Sequence, residues 1–465
     1  MISDQQDSNK RFYYLLVMLF LLPIPLGANI PWAWSFFEMA IFILTAFVVI
    51  KNWKIDKLGI TNYISAVYFW LALIAICAIQ IIPLPNFVVA LLSPTSFDLY
   101  QSVSAKSYFI SVDPGQSTIS FIKLLSFFCL FICVLSLINT EKRIRMLLLT
   151  IVAAGTVQAL YGGLEMLFGF SSSLIFELPV EEFATGSFVD KNHYANFLML
   201  SLAAGVGLFV ASLEKSSTST PNDLMQKFAN IQFNSKAIIR ICIAIMVIGL
   251  IMSRSKIGNA VFFAAMAIVG AVAFVLIKNR SQGLTIMVIS IFIIDLLIVS
   301  AYFGIERVND RLTQTSLVQD TTDEFVQDAY PIISDFPILG SGGGSFHSTF
   351  PSYQQSEVGA FYDFMYNDYL QFLIEYGVVG SFILFSIFVF CIYKSMRAMT
   401  RRRNSIFKGS AFACLMVFIG MGLHMTVGFP LQSYVNASYF VVFLALSMVI
   451  NSIKLRRTGK RSRTV

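Results

Sequence analysis

Charged residues are scarce in this chain of 465 residues: Asp, Glu, Lys and Arg make up 13% of it, against 57% hydrophobic residues. An ordinary soluble domain has about 25% charged residues, so that class is excluded. Cysteine is limited to six residues, Cys77, Cys129, Cys133, Cys242, Cys391 and Cys414. All lie inside apolar stretches without paired or metal-ligand spacing, so neither a disulfide framework nor a metal site is expected. Histidine is limited to three, His193, His347 and His424, which leaves few groups suited to proton transfer near neutral pH. The polar N-terminus MISDQQDSNKR is followed by an apolar run without a small-residue cleavage site, and that run is expected to remain as a first span.

What the chain has instead is a succession of apolar stretches of about 17 to 25 residues, the length that crosses a bilayer as helix. The expected fold is all-α, a polytopic transmembrane bundle forming a single integral membrane domain over 1–465. About twelve spans are expected, near 12–29, 35–50, 60–82, 119–138, 146–168, 193–211, 237–252, 257–277, 284–303, 368–393, 409–427 and 437–453. With the N-terminus inside, the alternating inside segments hold 26 of the 33 basic residues, the asymmetry expected of cytoplasmic loops. The net charge of +7 is therefore a topology signal and not a nucleic-acid signal. On the outer side lies a long segment, 304–367 between spans nine and ten, with nine acidic residues against Arg307 and Arg311. All three histidines map to that side.

Four stretches carry candidate chemistry. GSGGGSF (340–346) is glycine-dense but lacks the Lys-Ser/Thr of a phosphate loop, so it reads as a tight turn or a place of close backbone approach. SRSK (253–256) puts Arg254 at a membrane boundary with Lys256 beside it, and a guanidinium matches the oxygens of a diphosphate. GSFVDKNHYANFL (186–198) presents Asp190, Lys191, Asn192 and His193 just before a span. YNDYLQFLIEYGVVG (366–380) places Tyr366, Asn367 and Asp368 at the start of another, and carries Gln371 and Glu375 into it. Asp368 and Glu375 are two helical turns apart and share a face, so an inward-facing polar seam is expected.

The order of PLGANIPWAW (25–34), the PLP and LSP pair (83–85, 92–94), SVDP (111–114), GSFVDKNHYANFL, SRSK, DFPILGSGGGSFHSTFPSYQ (335–354), YNDYLQFLIEYGVVG and LHMTVGFPLQSYVNA (423–437) resembles the O-antigen ligase/polymerase superfamily. Within it the chain is most similar to the exopolysaccharide and O-antigen polymerases. The resemblance implies a multi-pass protein of the bacterial inner membrane with both termini cytoplasmic and its site at the periplasmic face. It implies a metal-independent, inverting glycosyl transfer without a cofactor. The donor would be an undecaprenyl-diphosphate-linked glycan, the solvent a lipid bilayer, and a chain-length regulator or flippase the kind of protein partner. Nucleic acid is not expected.

Arg254 and Lys256 would hold the diphosphate, with Arg311 or Arg307 standing in for a second arginine upstream of the glycine loop. Asp190, Asn192, His347, Asn367, Gln371, Glu375, His424 and Gln432 would contact glycan or acceptor. Two departures matter. The family has histidine where Tyr366 stands, and a tyrosine with a pKa of about 10 is a poor base near neutral pH. Either Tyr366 only positions sugar, or Asp368, His193 or His347 takes the proton, or the protein is catalytically weak or inactive. An aspartate after the histidine of LHMTVGF is replaced by Gly428. A ligase acting on lipid A-core or protein, a lipid-linked sugar transporter and a non-catalytic scaffold remain alternatives. A transporter would be expected to show corresponding halves with interrupted helices, and none is evident.

Overall fold

The computed structural model describes residues 2–51, 60–170, 172–173, 175–176, 182–214, 235–276, 317–355 and 362–453. The expected span 284–303 and both Arg307 and Arg311 lie outside the described residues. What is described is helical, with an isolated bridge between Leu84 and Tyr108. In chain order the helices are α1 (Ile2–Leu21), α2 (Pro31–Lys51), α3 (Ile64–Ile81), α4 (Asn86–Leu92), α5 (Pro94–Ser102), α6 (Pro114–Leu137), α7 (Glu141–Phe168) and α8 (Lys191–Glu214). There follow α9 (Ser235–Met252), α10 (Lys256–Leu276), α11 (Leu317–Asp335), α12 (Asp368–Arg401), α13 (Ser405–His424) and α14 (Tyr434–Ser452).

Among the described residues, nine of these helices are long and apolar enough to cross a membrane: α2, α3, α6, α7, α8, α10, α12, α13 and α14. They coincide with nine of the expected spans, and the protein is a polytopic helical membrane bundle. The expected first span, 12–29, is not one continuous helix, and α1 is not among these nine: it stops at Leu21, because Pro23 and Pro25 remove two amides and Gly27 takes a left-handed conformation (φ 61°). The segment expected as a loop after position 304 contains a helix of its own, α11, with Pro331 inside it.

Helix starts follow local chemistry. Asp113 caps α6 by accepting from the Gln116 amide at 3.0 Å, with Pro114 at the first helical position. Thr140 caps α7, and Asn404 caps α13 by accepting from the Ile406 amide at 2.8 Å. Helices α8, α13 and α14 are buried on nearly all sides and form the centre of the bundle. Their contact rests on small residues. Gly207 and Ala211 on α8 face Gly409 and Ala413 on α13, so closely that a Cβ on Gly409 would overlap the Gly207 carbonyl oxygen. In a bilayer, where lipid tails are as apolar as leucine, such close backbone approach is what holds two helices together. Peripheral α12 instead turns Val378, Phe382 and Phe385 outward, as a lipid-facing helix does.

Helix α12 is broken at Gly377 (φ 62°, ψ −170°), nine residues from its start. The glycine-rich segment closes this break. Ser341 and Gly342 donate their amides to the carbonyls of Ile374 (2.8 Å) and Glu375 (3.1 Å), while Val378 and Val379 donate to Pro337 (2.9 Å) and Ile338 (3.3 Å). Gln80 on α3 pins the junction, donating to the carbonyls of Leu339 (2.6 Å) and Glu375 (2.8 Å) and accepting from Gly343 (3.2 Å). A backbone freed from helical pairing inside a membrane bundle must find such partners. The glycines are required by contact, since a Cβ at Gly340 or Gly377 would overlap the opposing backbone.

Candidate functional site

The candidate side chains gather at one end of the bundle, in two loci. The first is built where α9 ends and α8 and α10 begin. Arg254 lies between α9 and α10 with a left-handed backbone (φ 50°), a conformation costly for any residue with a Cβ. Both neighbours are fixed. Ser253 donates to the Leu250 carbonyl at 2.6 Å, and Ser255 caps α10 by accepting from the Gly258 amide at 3.0 Å. Asn259 reaches back to the carbonyls of Leu250 and Ser255. The strained turn therefore presents the Arg254 side chain outward, 55% exposed, with one guanidinium nitrogen 3.4 Å from the exposed Glu182 carboxylate. Lys256 is exposed in the first turn of α10.

Ser255 also donates to Asn192 Oδ1 at 2.7 Å, tying this turn to the start of α8. There Asp190 is the cap: its Oδ1 accepts from the amides of Asn192 (2.7 Å) and His193 (2.8 Å). His193 is buried, with Nε2 3.3 Å from the Phe429 carbonyl oxygen and its ring edge-on to the Phe429 ring, centroids 5.0 Å apart. Phe429 is thus a hub. Tyr366 meets its ring edge-on at 5.2 Å, and Phe364 stacks on it at 5.6 Å. Tyr366 is 47% exposed. Partial burial, joined by the charge of Asp190 and by Tyr362, pushes its phenol above the usual value of 10.0, so it stays protonated at neutral pH.

Asp368 holds this hub in place from below. It is fully buried; Oδ2 accepts from the Leu431 amide at 2.9 Å and Oδ1 from Gln432 Nε2 at 3.2 Å. Its own amide donates to the carbonyls of Met425 and Gly428. Asn367 caps α12 through the amides of Tyr369 and Leu370 and donates to the Thr426 carbonyl. So Asn367, Asp368 and Gln432 clamp the 425–432 turn that carries Phe429. A carboxylate enclosed in this way cannot reach a bound molecule without releasing the turn. Gly428 has a packing reason: a Cβ there would stand 3.3 Å from His424 Cδ2. His424 itself is buried and paired with Asn196 at 2.8 Å.

The second locus is the glycine segment. The polar seam expected along α12 exists, and its groups are saturated by protein. Gln371 accepts from the Met365 amide and donates to Glu375 at 2.9 Å, while the backbone of Gly344 and Phe346 hydrogen-bonds Glu375. His347 lies on the helical turn Phe346–Thr349, with Nδ1 3.2 Å from the Gly344 carbonyl and Nε2 3.2 Å from Ser348 Oγ. Ser348 donates to Asp113 at 2.7 Å.

The structure therefore brings Asp190, Asn192, His193, Arg254, Lys256, Tyr366, Asn367, Asp368, His424 and Gln432 to one locus. Gln371, Glu375 and His347 belong to the glycine segment. Sequence reasoning missed Phe364, Phe429 and Gln80. The only signals were aromatics beside YND and before Pro430, and one glutamine ending an apolar run. Among the described residues no three His, Cys, Asp or Glu side chains converge as metal ligands would.

Residues 241–385 match the family model described as O-antigen ligase. The matched segment runs from α9 into α12 and contains the SRSK, glycine-loop and YNDYLQ stretches that carry the resemblance. No curated protein matches the chain.

Proposed function

We propose that the chain is a membrane glycosyltransferase of the bacterial inner membrane that moves a glycan from undecaprenyl diphosphate to an acceptor hydroxyl, polymerising O-antigen or exopolysaccharide repeat units. The site lies at the periplasmic face and both termini are cytoplasmic, in keeping with the distribution of basic residues. The observation that carries the reading is Arg254: a strained, doubly anchored turn at a membrane boundary holds a guanidinium outward and is tied through Ser255 and Asn192 to the helix start whose His193 meets Phe429. Backbone strain maintained by surrounding hydrogen bonds is characteristic of positions that must present a side chain.

In the proposed reaction Arg254 and Lys256 bind the diphosphate and stabilise the charge that develops as it leaves, with Arg307 or Arg311 completing the clamp. Glu182 occupies the guanidinium until the anionic donor displaces it. The sugar rests against Tyr366, Phe364 and Phe429, whose faces suit the apolar side of a pyranose. The Tyr366 hydroxyl donates a hydrogen bond. Asn192 and Asn367 are the flanking polar groups, while Asp368, Gln432, His193 and His424 position the Phe429 turn. Gln371, Glu375 and His347 support the glycine segment.

The test is incubation of purified protein, in nanodiscs with EDTA, with an undecaprenyl-diphosphate-linked repeat unit, with products read by mass spectrometry. A ladder of repeat units with released lipid diphosphate is expected. Release only after addition of lipid A-core or protein would make it a ligase, the activity named by the matched family model. No turnover with any acceptor from folded protein would refute the transferase reading. Arg254→Ala is expected to lower transfer by a factor on the order of 10² to 10³.

A further inference from the structure

A transfer to a hydroxyl needs an acceptor for its proton, and three side chains that the sequence offers for that role are unsuited by placement. Asp368 is enclosed with both oxygens occupied, His193 is buried with Nε2 turned to the Phe429 carbonyl, and Tyr366 carries its proton at neutral pH. His347 sits in the other locus, against Gly344 and Ser348.

Asp190 differs from all four. It is half-buried, so solvent and ligand reach it. Its two oxygens have separate fates: Oδ1 is fixed by the Asn192 and His193 amides, while Oδ2 accepts no hydrogen bond from any described residue. The carboxylate is therefore oriented by the helix start and still holds a free lone pair. It belongs to the same cluster as Tyr366: the His193 whose amide it caps meets the Phe429 ring edge-on, and Tyr366 meets that same ring. Through Asn192 and Ser255 it is also tied to the turn that carries Arg254.

We propose that Asp190 Oδ2 is the proton acceptor of the transfer, an assignment that rests on the transferase reading above. The acceptor oxygen forms its bond to the anomeric carbon as the bond from that carbon to the diphosphate oxygen breaks. The electron pair stays on the departing diphosphate, facing Arg254, and the hydroxyl proton passes to Asp190 Oδ2 and from there to water. Base and cation are thereby held on two ends of one hydrogen-bonded unit, so that attack and departure occur on opposite sides of the sugar.

Asp190→Asn is the discriminating variant, because asparagine retains the capping oxygen for the two amides and removes only the basic lone pair. In the polymerisation assay its transfer rate is expected to fall by about 10² to 10⁴-fold. Binding of the lipid-linked donor, measured separately, is expected to stay within about twofold, since the carboxylate does not hold the diphosphate. Transfer within about tenfold of wild type, or donor binding that falls in parallel with transfer, overturns the assignment.

A second variant guards against a merely structural loss. Position 366 is half-exposed on the Phe429 ring that His193 also meets, and a histidine there would bring an imidazole of suitable basicity to the same cluster. Asp190→Asn combined with Tyr366→His is expected to recover at least about tenfold over Asp190→Asn alone; no recovery overturns the assignment. Wild-type protein that turns over no donor would instead remove the transferase reading itself.

Discussion

Substituting Gly377 by alanine should be far more damaging than substituting another left-handed glycine. Gly377 occupies a region of backbone space that is nearly exclusive to glycine, and forcing a Cβ into it costs about 1 to 3 kcal/mol. The new methyl also overlaps the Ile338 carbonyl oxygen, so the glycine segment must move away from α12. Four backbone hydrogen bonds and the two donated by Gln80 hold that segment. Losing two or three of them at about 1 kcal/mol each brings the total to about 4 kcal/mol. Gly169, the cap after α7, is the control: it has a similar φ of 63°, but a Cβ there meets nothing within 4 Å. Its alanine variant should cost about 1 kcal/mol, the backbone term alone. Heat-induced loss of protease-resistant protein in detergent, compared between the two variants, measures the difference. Equal midpoints would mean that the docking of the glycine segment contributes nothing, and the account of the broken helix would be wrong. The same pair separates a structural loop from a phosphate-binding one, because a structural role predicts lost stability with donor affinity unchanged in the protein that remains folded.

Tyr366→Phe should retain transfer within about fivefold, because the loss is one neutral hydrogen bond worth about 0.5–1 kcal/mol of transition-state binding. Since the phenol is pushed above 10.0 and stays protonated, the pH profile between about 6 and 9 should keep its shape in that variant; a limb lost on substitution would show that Tyr366 ionises in the reaction. Asp368→Asn should lower stability by about 1.5 to 3 kcal/mol through the weakened bonds to Leu431 and Gln432, with activity falling only as the folded fraction falls. A variant that is fully stable yet inactive would return Asp368 to the chemistry. Gly409→Val should prevent α8 and α13 from packing, so membrane-inserted protein should be sensitive to protease at both helices, and a protease-resistant variant would contradict the contact.

The composition and the length of the apolar runs determined the class: a helix crossing a bilayer must satisfy its backbone internally, so about 20 apolar residues can be read as a span without knowing their neighbours. Caps such as Asp113, Thr140, Asn367 and Asn404 were equally local, because a side chain and the amides it accepts from are two or three residues apart. The shared face of Asp368, Gln371 and Glu375 followed from helical period alone. What occupied that face did not. Asp368 is engaged by Leu431 and Gln432, more than sixty residues away, and Glu375 by the glycine segment that precedes its own helix. Periodicity places side chains on a face and is silent about which distant backbone will meet them. The same limit hid Phe429, an aromatic like many others until the clamp on its turn set it between His193 and Tyr366. It also hid the different surroundings of two aspartates. In sequence Asp368 stands nearest to Tyr366, but folding encloses it and leaves Asp190, from a helix start far earlier in the chain, half-buried with only Oδ1 held by amides among the described residues. Burial of a carboxylate is decided by the elements packed over it, and only the tertiary structure supplies those.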